Sequence, residues 1–417
     1  MIDKSEIMDF SREFGLTANV IEKDYVLGWV LAGISQHSEL SKGWVFKGGT
    51  CLKKCYFETY RFSEDLDFTI SESAELDDAF LVKCFSEVSE WVYDFAGIEL
   101  PKELIRFDVY SNNHGGISAQ GRIGYSGPMQ RRGDLPRIKL DLTTDEILVL
   151  APSFRDVHHP YSDMPDNGIQ VRSYCFEEVF AEKIRALVER ERPRDLYDVV
   201  HLYRHDELKP DQTLILSTLE KKCQFKEIPV PTMETFENRP EREEIEVEWE
   251  NMLAHQLPAL PSFEQFWTEL PDMMKWLHGT IEKAARQSIS FGRVAIDDTW
   301  QPPAMAKSWH TEAPLEKIRF AAANRICVNL KYNNSYRLIE PYSLRRSKAG
   351  NLLLSAVKHN TNETRSYRVD RIQGAEVTNT SFVLKYTVEL TPTGPISAPR
   401  LTRSSVGTLS SPSVRRS

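Results

Sequence analysis

The pattern of apolar and polar positions divides the chain into an α+β body and a smaller β-rich end. Residues 3–14 and 17–35 read as helices, the second with Val20, Leu27, Leu31 and Ile34 as its apolar stripe. Within it Glu22-Lys23-Asp24 breaks the stripe with charge and reads as a solvated face or a local ion pair. Trp44-Val45-Phe46 is a short apolar strand, and Leu76, Phe80, Leu81, Cys84, Phe85, Val88, Trp91 and Val92 mark an amphipathic helix. Strands are expected at 104–110, 118–124 and 136–143; in the last, Ile138, Leu140 and Leu142 point one way and Arg137, Lys139, Asp141 and Thr143 the other.

A loop over 151–170 leads to helix 176–190, whose stripe is Phe176, Val179, Phe180, Ile184 and Leu187. Lys183 falls on or beside that stripe, and an inward lysine must be neutral, paired or touching an anion. Pro193 fits the first turn of a following helix on which Asp195 and Asp198 share a face. Further helices fill 207–290, residues 291–312 read as a linker, and a short helix at 314–323 precedes strands at 326–332, 336–343, 351–358, 365–371 and 375–388. The Ser-, Thr-, Pro- and Arg-rich stretch 391–417 carries too few large apolar residues to fold and is expected to be disordered.

The stretch from Phe46 to Ile70 concentrates the chemistry. A strand runs into a Gly48-Gly49-Thr50 turn opening a helix, and a second strand carries Asp65 and Asp67 on one face, with Leu66 and Phe68 on the other. Like charges side by side usually imply a cation, and the free N–H groups of the turn attract phosphate. Asp141, on another strand, would join Asp65 and Asp67 at one divalent site if the two strands lay side by side. Such a site suits nucleotidyl transfer from a nucleoside triphosphate (NTP), with Gly48, Gly49 and Thr50 on the β- and γ-phosphates and Lys183 and Lys54 neutralising charge. Singly these features are common; in this order and spacing they point together.

Composition narrows the setting. The 417 residues, 41% hydrophobic and 27% charged, suit a multidomain globular chain, and no apolar run approaches bilayer length. The acidic, polar start is unlike a signal peptide, and six singly scattered cysteines read as free thiols in a reducing compartment, so a cytoplasmic location is expected. The net charge of −9 divides into roughly −19 for residues 1–290 and roughly +10 for the remainder. An acidic body needs a local basic patch to meet nucleic acid; Lys42, Lys47, Lys53, Lys54, Arg131, Arg132, Arg137 and Lys139 are the candidates near the cleft.

Lys47-Gly-Gly-Thr-Cys-Leu-Lys-Lys54 followed by Arg61-Phe-Ser-Glu-Asp-Leu-Asp67 resembles the signature of AbiEii/AbiGii nucleotidyltransferase toxins of type IV toxin–antitoxin systems. The likeness extends to Glu22-Lys-Asp-Tyr25, Ile138-Lys-Leu-Asp141, Glu178-x-x-x-Glu-Lys183 and Arg194-Asp-Leu-Tyr-Asp198, roughly residues 15–280. It implies a DNA polymerase β-like mixed sheet flanked by helices over residues 1–206, with a helical lobe over 207–290. It also implies Asp65, Asp67 and Asp141 as ligands of Mg2+ (or Mn2+), Thr50 and Ser63 as phosphate contacts, Lys183 as a triphosphate contact, and Asp195 or Asp198 in the last motif. The expected substrates are an NTP and an RNA 3′ end, with tRNA foremost. A cognate antitoxin and a role in growth inhibition or phage defence follow from the same resemblance.

Residues 313–390 resemble a WYL domain, an Sm/SH3-like β-barrel module, through Tyr332, Arg337-Leu-Ile-Glu-Pro-Tyr342 and Tyr367-Arg-Val-Asp-Arg-Ile372. Leu352-Leu353-Leu354 replaces the name-giving triplet. The resemblance implies a nucleotide or nucleic-acid ligand; a module used only for packing or oligomer contacts is the alternative. For the whole chain, two other readings stand beside RNA modification: a degenerate NTP-binding regulator signalling through this module, and a transferase acting on protein or a small molecule.

Overall fold

The computed structural model describes residues 1–71, 75–111, 116–131, 133–205, 208–236, 241–300 and 314–390. Residues 301–312 of the expected linker, the expected disordered tail 391–417 and Arg132 lie outside the described residues.

Helix α1 (Lys4–Phe14) is capped by Asp3 and stopped by Gly15, whose φ of +69° is open to glycine without strain. Helix α2 (Ala18–Gln36) is buried around nearly its whole circumference from Ile21 to Ile34. The short α3 (Leu40–Gly43) delivers the chain to β1 (Trp44–Lys47), α4 (Gly48–Cys51) and a π-helical turn over Leu52–Tyr56, before β2 (Asp65–Ile70) returns beside β1. Helix α5 (Asp78–Ala96), capped by Asp77, covers one face, and β3 (Ile105–Ser111), β4 (Ile117–Gly124) and β5 (Arg137–Thr143) form a meander.

Two further strands, β6 (Ser153–Asp156) and β7 (Gln170–Ser173), complete a seven-stranded mixed sheet of order β3-β4-β5-β2-β1-β7-β6, parallel at β2/β5 and β1/β7. The loop expected over 151–170 is corrected here, since it contains β6 and the first residue of β7. Ser-Phe-Arg-Asp at a sheet edge, with Phe154 facing out, offers no apolar alternation; its pairing with β7 makes it a strand.

Helices α6 (Phe176–Arg190) and α7 (Pro193–Arg204) cross behind the cleft, and α8 (Gln212–Phe225), α9 (Glu241–Leu253), α10 (Phe263–Trp267) and α11 (Leu270–Leu277) build the helical lobe. The C-terminal module begins with α12 (Leu315–Ala323) and continues as β8 (Ile326–Tyr332), β9 (Ser335–Arg346), β10 (Leu352–Lys358), β11 (Thr364–Arg368) and β12 (Ile372–Ser381). Its strands form an open antiparallel sheet of order β11-β10-β9-β8-β12, so the closed barrel expected from the resemblance is corrected. A 3-10 turn over Val369–Arg371 carries the chain from one edge of this sheet to the other, and among the described residues the two edge strands do not pair.

The module is fixed to the body through buried polar contacts. Arg319 on α12 reaches Glu58 at 3.4 Å, Thr59 donates to Glu316 at 3.2 Å, and the Tyr197 hydroxyl donates to Asn324 at 3.0 Å. Phe320 and Ile326 join the main hydrophobic core.

Glu22-Lys23-Asp24 is not a solvated face. Glu22 and Asp24 are 1% and 4% exposed; Glu22 accepts the Met129 N–H at 2.7 Å, and Asp24 pairs with the buried Lys54 at 2.7 Å and accepts the Tyr161 hydroxyl at 2.9 Å. Lys23 pairs with Glu64 at 2.7 Å. The partners lie far along the chain, out of reach of a local charge pattern. Replacing Asp24 by Ala is expected to strand the Lys54 cation and lower unfolding free energy by about 3–5 kcal/mol in a urea titration. A change within about 0.5 kcal/mol, as at an ordinary surface position, would contradict this pairing.

Candidate active site

The turn after β1 is shaped by close approach. Gly48 has a φ of +80°, and a Cβ there would stand 2.1 Å from Oδ2 of Asp67. A Cβ on Gly49 would stand 2.6 Å from a guanidinium nitrogen of Arg61. Only a bare backbone lets this turn, the β2 carboxylates and Arg61 share the same few ångströms.

The carboxylates are brought together by strand register. Because β2 and β5 are parallel neighbours, Asp67 lies directly opposite Asp141 and Asp65 opposite Lys139; on the other side Lys47 lies opposite Asp67. Gln120 of β4 donates to Asp141 at 3.3 Å. Burial, together with the charges of Asp141 and Asp65, pushes Asp67 up to about 6, against the pull of Lys47 and Lys183. Asp65 is also raised, by burial first and Asp141 second, with Lys139 opposing. These are hard oxygen donors crowded against one another. Among the described residues, no three histidine, cysteine or acidic side chains already form a metal-ligating cluster.

Lining the same cavity of about 480 Å3 are Lys183, Arg190, Arg192, Arg194 and Asp195 from α6, α7 and the turn between them, together with Glu146, Glu182 and Glu189. Asp198 holds this wall. Fully buried, it takes two hydrogen bonds of 2.7 Å from Arg61, pairs with Lys183 at 2.7 Å and accepts the Tyr60 hydroxyl. Burial alone would raise its pKa, yet Arg61 and Lys183 hold it well below the usual carboxylate range. Asp195 pairs with Arg190 at 2.9 Å and lies 3.6 Å from Lys183. Lys47 reaches Glu182 at 3.3 Å, and the buried Glu178 accepts the N–H groups of Val149 and Leu150 while pairing with Lys222 at 2.7 Å.

Of the expected site residues, Gly48, Gly49, Ser63, Asp65, Asp67, Asp141, Lys183 and Asp195 line one cavity. Three do not. Thr50 is buried, and its hydroxyl donates to the Asp65 carbonyl, so it fixes the start of β2. Lys54 is buried against Asp24. Asp198 sits behind the wall as a positioning residue. Lys53, expected on a steering surface, is buried and donates to the Glu58 carbonyl. Sequence reasoning missed Arg61, Glu182, Arg190 and Arg192 as cavity residues. The alternation Arg190-x-Arg192-x-Arg194 around Pro193, at the break between two helices, was the available signal.

Asp198→Asn is expected to leave Arg61 and Lys183 buried without their carboxylate and to lower unfolding free energy by about 3–5 kcal/mol. Because the folded-state pKa is depressed, this contribution is fully present above the ordinary carboxylate range and is lost progressively as pH falls through that range into strong acid. The stability gap between wild type and variant should therefore hold steady from neutral pH down to about pH 5 and narrow progressively below it. A gap that closes already between pH 7 and about 5, or that does not narrow at all in acid, would refute the pairing.

Comparison with known proteins agrees with this architecture. The family described as nucleotidyl transferase AbiEii toxin, type IV TA system, matches residues 29–269, and the WYL domain family matches residues 314–377. None of the curated proteins is significantly similar in sequence to the chain. Among solved structures, MenT4, a nucleotidyltransferase toxin from Mycobacterium tuberculosis, is similar at 17% identity and a TM-score of 0.45, over 67% of this chain and 90% of its own. The proteasome accessory factor PafBC of Arthrobacter aurescens is similar at 12% identity and a TM-score of 0.17, over 87% of this chain and 70% of its own. These two likenesses are weak; the first family match spans more than half of the chain. The protein belongs to the AbiEii family of nucleotidyltransferase toxins of type IV toxin–antitoxin systems and carries a WYL domain after the catalytic body.

Proposed function

We propose that the protein transfers a nucleoside monophosphate from an NTP to the 3′-hydroxyl of an RNA acceptor, with tRNA as the expected acceptor. The observation that carries this reading is the register of Asp67 against Asp141, facing a cavity whose other wall is Lys183, Arg190, Arg192 and Arg194. In the reaction the acceptor oxygen bonds to the α-phosphorus, the bond to the pyrophosphate oxygen breaks, and the hydroxyl proton passes to Asp141. Asp65, Asp67 and Asp141 would hold Mg2+ (or Mn2+), which supplies charge neutralisation at the α-phosphate when bound. The basic wall holds the β- and γ-phosphates in place, and Gly48, Gly49 and Ser63 border them. Lys183 and Arg61 are kept in position by Asp198, so the cationic wall is built before substrate arrives.

The family context adds a cognate antitoxin as partner and growth inhibition or restriction of phage infection as the outcome. The WYL domain supplies a candidate place for a nucleotide or nucleic-acid ligand. A cytoplasmic setting fits six free cysteines, and no described helix is long and apolar enough to cross a membrane. The intact, registered carboxylates favour turnover over a degenerate sensor.

Purified full-length protein incubated with each labelled NTP, Mg2+ and total tRNA is expected to label RNA with at least one nucleotide. EDTA should abolish the labelling, and Asp67→Asn or Asp141→Asn should reduce it at least about a hundredfold. Absence of labelled RNA with all NTPs would refute the proposal, and label appearing on protein would redirect it.

A further inference from the structure

The sheet continues past the carboxylates as an open face, and its charges are arranged in an unusual way. Arg106 of β3 lies directly opposite Arg122 of β4, Arg122 opposite Lys139 of β5, and Lys139 opposite Asp65 of β2. Arg137, two residues before Lys139 on the same face, joins Arg106 and Arg122 with Glu103 and Leu104 around a shallow groove of about 280 Å3. All four basic residues are exposed. Arg122 is held by Asp108 at 3.0 Å and Gln120 at 2.6 Å, the latter itself bonded to Asp141. Farther along β3, on the same face, stands Tyr110, 52% exposed.

Like charges directly opposite on neighbouring strands destabilise a sheet, and the row Arg106–Arg122–Lys139 is relieved only at Asp108 beside Arg122 and Asp65 opposite Lys139. A solvated sheet face needs polar residues, not a single sign of charge in register. In a chain of net charge −9 the row is also a local exception. It crosses three strand spacings, roughly 14 Å, and ends on the carboxylates.

We propose that this face is the track on which the RNA acceptor's sugar–phosphate backbone is held, with Arg106, Arg122, Arg137 and Lys139 as phosphate contacts and Tyr110 as a stacking surface for a base. The inference rests on the function proposed above and assigns the two substrates to opposite sides of the carboxylates. The triphosphate lies against α6 and α7, and the acceptor arrives over β3, β4 and β5. A polyanion laid along the row is delivered with its end at Asp141, where the attacking hydroxyl must be. Exposed cations interleaved with an aromatic ring suit an unpaired strand, whose bases are free to stack. An acidic protein segment would gain from the charges but not from Tyr110 or from ending at the carboxylates.

The test uses full-length protein and fluorescein-labelled total tRNA, with binding followed by anisotropy over a series of NaCl concentrations. The variant Arg106→Gln/Arg122→Gln/Arg137→Gln is compared with Arg12→Gln/Lys83→Gln/Lys102→Gln, which removes the same charge from exposed sites elsewhere. The track variant should bind tRNA at least about tenfold more weakly, and its log–log salt slope should fall by about 2, at roughly 0.7 per lost phosphate contact on a single strand. The control triple should keep most of the wild-type slope, and NTP affinity should be unchanged in both. Tyr110→Ala should weaken tRNA binding without changing the slope. Equal slopes for the two triple variants would overturn the track, as would displacement of tRNA by poly-glutamate at matched charge. The labelling assay separates the two ideas: a track variant that labels tRNA with unaltered KM removes the track and leaves the transferase standing. Failure of the wild type to label any RNA removes the transferase reading itself.

Discussion

A carboxylate with no exposed surface organises one wall of the cavity. Asp198 gathers the neighbouring Tyr60 hydroxyl and Arg61 guanidinium together with the ammonium of Lys183, from two separate parts of the chain. Burying one ion costs several kcal/mol unless others come with it, and here one anion is shared by two cations. The arrangement leaves the wall with excess positive charge facing the cavity. That excess is what a triphosphate would meet. The helix that carries Asp198 also presents Tyr197 to Asn324, so α7 touches the C-terminal module on one side and the cavity on the other.

The opposite wall inverts this logic. Asp67 and Asp141 are placed side by side by the parallel pairing of β2 with β5, without a fixed cation between them. Lys47 and Lys183 temper the repulsion, yet Asp67 still sits near 6. The two walls thus differ in sign and in how they are held: one sets its cations around the buried Asp198, the other sets carboxylates directly against one another. The asymmetry fits the nucleotide site proposed above, because crowded carboxylates gain most from a nearby cation.

The helices and strands with clean periodicity were legible in the sequence, from α1 and α2 to the five strands of the C-terminal sheet. The edge strand β6 and its neighbour β7 were not, because four half-polar residues become a strand only when a neighbour supplies the hydrogen bonds. Openness of the C-terminal sheet could not be read from strand count alone. At the site, the turn and the carboxylates were legible because motif order constrained them. Thr50, Lys54 and Asp198 were recognisable as belonging to the motifs, but their burial depends on partners such as Asp24 and Arg61 that spacing does not reveal. Arg106 and Arg122 look like ordinary solvated residues until register sets them opposite each other.

The turn at Gly48 has a consequence in genetic terms. The Cβ of any other residue would compete with the Asp67 carboxylate for the same volume, since the two would lie 2.1 Å apart. Every glycine codon is one base substitution from alanine and from valine. A gene encoding this turn therefore carries a position where a single base change forces the Asp67 carboxylate, one of the proposed site residues, out of its place.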